Sequence, residues 1–178
     1  MPYYKNHINF FDYIEKEPIE KSSAIINKIL DFLFKEVYLF KKESEESISK
    51  KLDFYLENKL LKKINEVSKK NKIIKNILTY EYIFINKKKH KNIQLIIPEL
   101  EKLKKYIVNN SNKIVTNLHG DVTVENILCN DSSSILLDPN DENAFNSVLV
   151  DISKLFQSLN SHYEYLNLIK TCSVINNE

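Results

Sequence analysis

Reactive side chains at informative spacing occur together in one segment of this chain, between His119 and Asp138. The tripeptide His119-Gly120-Asp121 is followed by Asn126, five residues after the aspartate, and the segment ends at Asp138. Carboxylate and carboxamide oxygens are hard ligands of the kind that magnesium prefers, together with substrate phosphates. Phosphoryl transfer needs a carboxylate that accepts the proton of the attacking hydroxyl, and an Asn and a second Asp that hold the metal ions. The segment therefore contains the side chains that phosphoryl transfer requires.

A short β-hairpin is predicted to bring these side chains together. Its strands are Ile127–Cys129 and Ile135–Leu137, and the turn chemistry of Asn130–Ser133 connects them. In that register Asn126 lies opposite the last residue of the second strand, and Asp138 is one step further along. Asp121 is on the loop that enters the hairpin. The side chains of Asp121, Asn126 and Asp138 are therefore expected to lie close together at the open end of the hairpin, which we call its mouth.

Each of these residues also has a purely structural interpretation. Asp121 after a glycine is typical of a turn, Asn126 of a strand edge, and Asp138 of a turn that precedes a proline. Their combination at this spacing, with a hairpin between them, favours the functional interpretation. His119 is different, because we expect it to brace the loop by hydrogen bonding and not to transfer a proton.

The remainder of the chain predicts mostly helices, which makes the fold class α+β with a helical majority. Apolar residues at helical spacing and capping residues mark the helices. The predicted helices are Ile8–Ile14, a helix from Ser22 or Ser23 to about Lys41, a helical region from Leu52 to Val67, a helical region after Asn92 that is interrupted at Pro98, where a helix reaching Val108 can start, and a helical region after Asp151. Tyr82–Ile85 predicts a short strand that ends at the polar run Asn86–Asn92.

The composition excludes several classes of protein. The 178 residues suffice for one globular domain, and 26 basic against 24 acidic residues leave a net charge of +2, which gives no argument for nucleic-acid binding. The lysine runs Lys62–Lys75 and Lys87–Lys91 are interpreted as solvated helix faces. The most apolar stretch, Ile25–Phe40, is interrupted by charged residues and predicts no membrane span.

The cysteines indicate the cellular compartment, and the number of glycines excludes several nucleotide-binding motifs. Cys129 and Cys172 show no paired spacing, which favours free thiols in a reducing cytoplasm, and no signal peptide is expected at the N-terminus. Gly120 is the single glycine of the chain. A dinucleotide-binding turn, a P-loop and a protein-kinase glycine-rich loop each need several glycines, so none of these is expected here.

The chemistry-bearing segment resembles a known superfamily. Asp121-x-x-x-x-Asn126 matches the catalytic-loop spacing of the protein-kinase superfamily, and Asp138 falls at its metal-binding aspartate. Gly120 precedes the first aspartate and Pro139 follows the last one, unlike in protein kinases. Those two residues resemble the aminoglycoside phosphotransferase and choline kinase branch, in which His-Gly-Asp and Asp-Pro-like signatures are usual.

The resemblance implies a function and its site residues. Asp121 is then the catalytic base, and Asn126 and Asp138 are the Mg²⁺ ligands. The implied reaction transfers the γ-phosphate of ATP to a hydroxyl acceptor in the cytoplasm. Choline, a sugar, an amino alcohol and an aminoglycoside all remain open as acceptors. No nucleic-acid partner and no membrane span are expected.

The same resemblance implies how the chain is organised. Asp151, in Asp151-Ile152-Ser153-Lys154-Leu155, is expected to brace the catalytic loop. Met1-Pro2-Tyr3-Tyr4 resembles the hinge between two lobes, and Met1 and Tyr3 are implied to bind the nucleotide. The expected organisation is a single domain, 1–178, that forms the C-terminal lobe of a kinase-like fold, with a hinge-like segment 1–15, a helical region 16–112, catalytic and metal-binding loops 113–155, and a C-terminal helix 156–178.

Two alternatives compete with this interpretation. The chain is expected to lack the N-terminal nucleotide lobe, as a fragment, a truncated reading frame or a remnant that needs a partner polypeptide to supply that lobe. Turnover of ATP by this chain alone is expected to be slow or absent, since such catalysis is nearly all positioning. The first alternative is a non-catalytic helical binding module, or pseudokinase remnant, which also explains the expected absence of the nucleotide lobe. A metal-dependent phosphohydrolase explains the carboxylates, but the histidine-rich ligand set that such sites often use is not seen.

Overall fold

The computed structural model describes residues 4–110, 113–115, 117–143, 146–161 and 163–168. In that part of the chain the α-helices are α1 Phe10–Lys16, α2 Ile19–Phe32, α3 Glu45–Tyr55, α4 Lys62–Lys70, α5 Lys72–Ile77, α6 Ile93–Asn110 and α7 Val148–Ser161. The strands are β1 Ile8–Asn9, β2 Phe40–Lys42, β3 Tyr82–Ile85, β4 Lys88–Lys91, β5 Lys113–Val115, β6 Ile127–Cys129 and β7 Ser134–Leu136. The mostly helical α+β class is therefore confirmed.

Shorter helical turns complete the description and continue some of the α-helices. They are the π-helical turns Leu33–Val37 and Leu56–Leu61 and the 3₁₀ turns Val124–Asn126 and Tyr163–Leu168. The predicted C-terminal helix 156–178 therefore begins earlier, with α7, and is followed by a 3₁₀ turn within the described residues. The chain divides into two compact units, one formed by 1–39 with 115–178 and the other by 40–114. The single-domain organisation stays a prediction.

The first unit carries the predicted hairpin on a small antiparallel sheet in the order β1-β6-β7. Strand β6 pairs with β7 in the predicted register, with Ile127 opposite Leu136 and Cys129 opposite Ser134. A buried apolar cluster from α1, α2 and the segment before β6 packs beneath this sheet. Its fully buried members include Phe10, Ile25, Leu33, Val122, Val124, Ile127 and Cys129. The hairpin is thus held on the hydrophobic core, which fixes the position of the residues at its mouth.

Helix boundaries in this unit follow local capping. The Asn9 side chain accepts the Phe11 N–H and starts α1 two residues later than predicted. The prediction that Ser22 or Ser23 starts the next helix is wrong, because α2 already begins at Ile19. Pro18 sets the extended backbone before it, and the Pro18 carbonyl accepts the Ser22 N–H. That helix also ends earlier than expected, since it passes through a π-helical turn into β2.

The second unit contains α3 to α6, the β3–β4 hairpin, and β2, which pairs with β5. Asn92 organises its centre, because its side-chain nitrogen donates to the Ile77 and Tyr80 carbonyls at 2.6 and 2.8 Å. Its side-chain oxygen accepts the Ile93 N–H at 2.8 Å and so starts α6. The helix therefore begins five residues before Pro98 and continues through it, so the helical region predicted here is confirmed and the interruption predicted at Pro98 is wrong.

The surroundings of Pro98 and of the lysines at 87–91 differ from the prediction. Pro98 is exposed within α6, where the carbonyl that its missing N–H leaves free can bind water. The strand predicted at Tyr82–Ile85 is confirmed as β3, and the polar run Asn86–Asn92 ends it as expected, but this run also forms a tight turn and a second strand, β4, that the sequence did not predict. Asn86 and Lys87 have φ of 50° and 67°, as a two-residue hairpin turn requires. The lysines of this run therefore lie on a hairpin and not on a helix face.

Among the residues that the structure describes, no helix combines the length and the apolar character needed to cross a membrane.

Candidate functional site

The loop from Asp121 to Asn126 is buried at its centre, Val122 to Val124, and more open at its ends. Val122 and Val124 are almost fully buried in the core, whereas Asp121 is partly exposed and Glu125 is exposed. The Thr123 N–H donates to the Asp121 carbonyl at 2.9 Å, which tightens the turn. The apolar side chains anchor the loop and leave the carboxylate of Asp121 accessible from outside.

Both oxygens of the Asp121 carboxylate have a partner. The Asn126 side-chain nitrogen donates to Asp121 Oδ2 at 3.0 Å and also to the Asp121 carbonyl at 2.9 Å. Lys154 Nζ lies 2.9 Å from Asp121 Oδ1. The two ion-pair side chains are each about one-third exposed, so water screens the pair. The predicted base and one predicted metal ligand are therefore in direct contact.

Asp151 holds the start of the same loop, as the resemblance implied. Its side chain is 1% exposed, and it accepts the backbone N–H groups of His119 at 3.0 Å and Gly120 at 2.6 Å. The Tyr38 hydroxyl donates to Asp151 Oδ2 at 3.0 Å. Burial, together with the neighbouring Asp151 carboxylate, raises the pKa of Tyr38 well above its usual range. The hydroxyl therefore stays protonated and remains a donor.

One face of α7 holds the loop at three points. Asp151 holds its first two backbone amides, Lys154 pairs with Asp121, and Ser158 Oγ accepts the Val124 N–H at 3.2 Å. The spacing of these three side chains, i, i+3 and i+7, places them on one side of a helix. The geometry of the loop is thus set by a helix that follows it by about thirty residues along the chain.

Gly120 is required by the backbone conformation at this position. Its φ is +84°, which side chains rarely adopt, and a Cβ atom there would lie 2.1 Å from the Asn140 carbonyl oxygen. The Asn140 N–H in turn donates to the His119 carbonyl at 2.7 Å. The single glycine therefore lets the segment after the hairpin pack directly against the start of the loop at His119.

Asp138 follows the hairpin in an unusual conformation. The Leu137 N–H donates to the Asn126 carbonyl at 2.8 Å, so the predicted register extends to this pair and Asp138 is one residue beyond it. Asp138 has a φ of 51° and precedes Pro139, although a residue before proline favours extended backbone. Strained backbone of this kind is concentrated at functional sites. The side chain is exposed at the mouth of the hairpin.

The oxygen atoms of Asn126 and Asp138 are ligands of the type that Mg²⁺ binds. The Asn126 nitrogen is used by Asp121, and among the described residues no donor meets the Asn126 side-chain oxygen or the Asp138 carboxylate. Two such oxygens leave the other positions of an octahedral Mg²⁺ to phosphate and water. The described part of the chain contains no group of three or more His, Cys, Asp or Glu side chains that could hold a metal by themselves.

His119 has the bracing position that we expected. Its ring is buried, and Nδ1 accepts the Asp121 N–H at a long 3.4 Å, while Nε2 meets no partner among the described atoms.

Cys129 is a fully buried free thiol whose pKa is raised to about 11 by burial, so it is inert and structural. Met1 and Tyr3, predicted to bind the nucleotide, lie outside the described residues.

Sequence reasoning identified Asp121, Asn126, Asp138 and Asp151 but assigned no role to the other groups that hold the loop. Lys154 and Ser158 were missed, although their spacing from Asp151 on a predicted helix was a usable signal. Tyr38 was missed because nothing in the sequence connects it with a residue more than a hundred positions away.

Comparisons with protein-family models, with curated proteins and with solved structures find no match to this chain.

Proposed function

We propose that this chain is the catalytic lobe of a kinase-like phosphotransferase that uses ATP and Mg²⁺ to phosphorylate a hydroxyl group of a small molecule. The observation that carries the proposal is the Asp121 carboxylate, which contacts Asn126 at 3.0 Å on a loop held by α7. Carboxylate, carboxamide and a strained aspartate after a hairpin are the parts that phosphoryl transfer uses. The buried thiol of Cys129 agrees with a cytoplasmic protein.

In the proposed reaction Asp121 accepts the proton of the acceptor hydroxyl. That oxygen forms a bond to the γ-phosphorus of ATP while the bond to the bridging oxygen breaks, and ADP leaves. Asn126 and Asp138 would hold Mg²⁺, which would supply positive charge to neutralise the phosphates. Asn126 also restrains the orientation of the Asp121 carboxylate, since its nitrogen donates to that residue twice.

Lys154 has a place in this scheme that the sequence did not show. Its ammonium lies 2.9 Å from the Asp121 carboxylate, next to the position that the acceptor hydroxyl has to occupy. The transferred phosphoryl group adjoins that hydroxyl and carries negative charge on its equatorial oxygens. We assign Lys154 the role of orienting Asp121 before the acceptor binds and of stabilising that charge during transfer.

The same ion pair favours a second candidate, a non-catalytic binding module that keeps the fold. Both Asp121 oxygens have protein partners, as expected of a carboxylate that stabilises a loop. The two candidates differ in what the Lys154→Met variant does. A structural ion pair this exposed is worth at most about 1 kcal/mol of stability and its loss leaves ligand binding unchanged. A catalytic one changes turnover by far more than it changes stability.

Metal binding is tested on the chain by itself, without an acceptor. Mn²⁺, a paramagnetic substitute for Mg²⁺, is titrated into isotope-labelled protein with ATP present, and the broadening of backbone amide signals is recorded. We expect broadening centred on Asn126 and Asp138, and its loss in Asp138→Asn. The exposed Asp141→Asn variant is the matched control, since it removes a carboxylate nearby in sequence. Broadening spread over unrelated acidic residues contradicts the proposal.

Turnover is tested with the same variants, in this chain and in its fusion to a kinase nucleotide lobe. Asp121→Asn keeps shape and hydrogen bonding but removes the base, so we expect a loss of ~10²–10⁴-fold in rate with little change in nucleotide affinity. Asp138→Asn weakens the metal–nucleotide complex as well, and excess Mg²⁺ partly rescues it. Full activity in both variants, or rescue of Asp121→Asn alone by Mg²⁺, refutes the assignment of base and ligand.

A further inference from the structure

The β3–β4 hairpin of the second unit combines exposed aromatic and aliphatic side chains with a concentration of lysines. Phe84 is 70% exposed and Ile85 is 52% exposed, and Tyr82 is exposed as well. The segment 80–92 contains four lysines and one glutamate, a net charge of +3 in a chain whose total is +2. Large apolar side chains that are exposed beside several lysines are typical of a binding surface and not of a solvated strand.

Strand pairing distributes these side chains over the hairpin. Tyr82 is opposite Lys91 and Phe84 is opposite Lys89, so aromatic rings and ammonium groups share one face. Lys89 Nζ lies 4.0 Å from the centre of the Tyr82 ring. Ile85 is on the other face, so apolar side chains flank the turn on both sides.

The turn itself directs charge outward at the end of the hairpin. Asn86 and Lys87 both have positive φ, and a glycine would adopt the second position without strain. A long cationic side chain occupies that strained position instead. At the opposite end the hairpin is anchored firmly, because Asn92 is buried and bonded to two carbonyls. An anchored stem with an apolar, cationic tip is built to contact something outside the unit.

We propose that the tip of this hairpin inserts into the interface of an anionic lipid bilayer and attaches the chain peripherally to it. The lysines are complementary to acidic headgroups, and Phe84 with Tyr82 suits the depth at which aromatic rings gather in membranes. A bilayer surrounds an inserted tip, which accounts for apolar side chains on both faces. A single-stranded nucleic acid stacks on one face and leaves Ile85 without a partner.

The test is co-sedimentation of the chain with vesicles of phosphatidylcholine, either alone or with roughly a third of phosphatidylserine. We expect binding to the anionic vesicles that weakens with salt, and little binding to the neutral ones. Each lysine near the surface contributes roughly fivefold to partitioning, so Lys88→Gln with Lys91→Gln is expected to reduce it by roughly 25-fold. Lys102→Gln with Lys105→Gln, on exposed positions of α6, is the matched control and retains binding.

The apolar contribution is tested separately. Phe84→Ser is expected to reduce partitioning by roughly tenfold, and Tyr106→Ser, which removes a ring that is 67% exposed on α6, to leave it unchanged. All six substitutions in these four variants are at exposed positions, and circular dichroism verifies the fold. Absence of binding to anionic vesicles at low salt overturns the proposal. So does equal loss in hairpin and control variants, or binding of a single-stranded oligonucleotide in place of vesicles.

Discussion

Replacing Asp151 by Asn is the most direct perturbation of the contacts that hold the loop that begins at His119. The carboxylate accepts three hydrogen bonds, from the backbone of His119 and Gly120 and from the hydroxyl of Tyr38. The carboxamide has one oxygen and one NH₂ group of nearly the same shape. In one orientation the NH₂ group faces the His119 N–H, and in the other it faces the Gly120 N–H. Either way a buried backbone donor loses its acceptor.

The size of the effect follows from that geometry. An unsatisfied buried N–H costs about 1–3 kcal/mol, and the bonds that remain lose the strengthening that a charged acceptor gives, about 1 kcal/mol each. The neutral amide avoids part of the desolvation cost of a buried carboxylate, which offsets some of this loss. We therefore expect Asp151→Asn to lower the free energy of unfolding by about 2–3 kcal/mol. Tyr38→Phe removes one donor and leaves the other two bonds, so about 1 kcal/mol is expected.

Urea denaturation followed by circular dichroism measures both variants. With a denaturant slope of about 1–3 kcal/mol/M, the midpoint of Asp151→Asn is expected to fall by roughly 1–2 M. Asp141→Asn, an exposed aspartate with the same chemical change, is the control and is expected to keep the wild-type midpoint. If Asp151→Asn resembles that control, or costs less than Tyr38→Phe, the inference that Asp151 holds the loop is wrong.

Three other predictions test neighbouring features of the first unit. Gly120 has a φ of +84°, and a Cβ atom there would lie 2.1 Å from the Asn140 oxygen. Gly120→Ala is therefore expected to lower the free energy of unfolding by about 1–3 kcal/mol or more, as measured by thermal unfolding. The hydrogen bond from Tyr13, with help from a neighbouring lysine, lowers the pKa of Asp131, so its contribution to stability is present above about pH 4 and lost on further acidification. The unfolding free energies of wild type and Asp131→Asn are therefore expected to converge in acid, and a constant difference contradicts this. The pKa of Cys129, raised to about 11, predicts no alkylation by iodoacetamide near neutral pH until urea unfolds the protein, as peptide mass spectrometry can show.

Local signals were sufficient for the hairpin that carries the candidate site. The turn residues between Cys129 and Ser134 allow essentially one register for two short strands, and that register sets which residues lie at the mouth. The spacing of Asp121 and Asn126 across a single turn likewise predicts a contact, which the structure shows at 3.0 Å. Information of this kind lies within a few residues along the chain.

Helix boundaries were less predictable, because several neighbouring residues can each start a helix and tertiary contacts decide which one does. Ser22 is a good N-cap by type, but it is buried inside α2, since the extended backbone at Pro18 starts the helix earlier. Asn92 starts α6 ahead of Pro98 because it also bonds two carbonyls of the preceding turn. The lysines at 87–91 were expected on a helix, and the positive φ at the turn puts them on a hairpin instead.

The sequence alone determined the hairpin register and the contact between Asp121 and Asn126, because the turn and the short spacing leave little conformational choice. Tertiary structure decided what holds those residues in place. Asp151, Lys154 and Tyr38 reach the loop from elements far away in the chain, and only the packing of α7 and of the segment before β2 against the core brings them there. A long-range contact of this kind depends on which faces of distant helices are buried together, and no local pattern encodes that pairing.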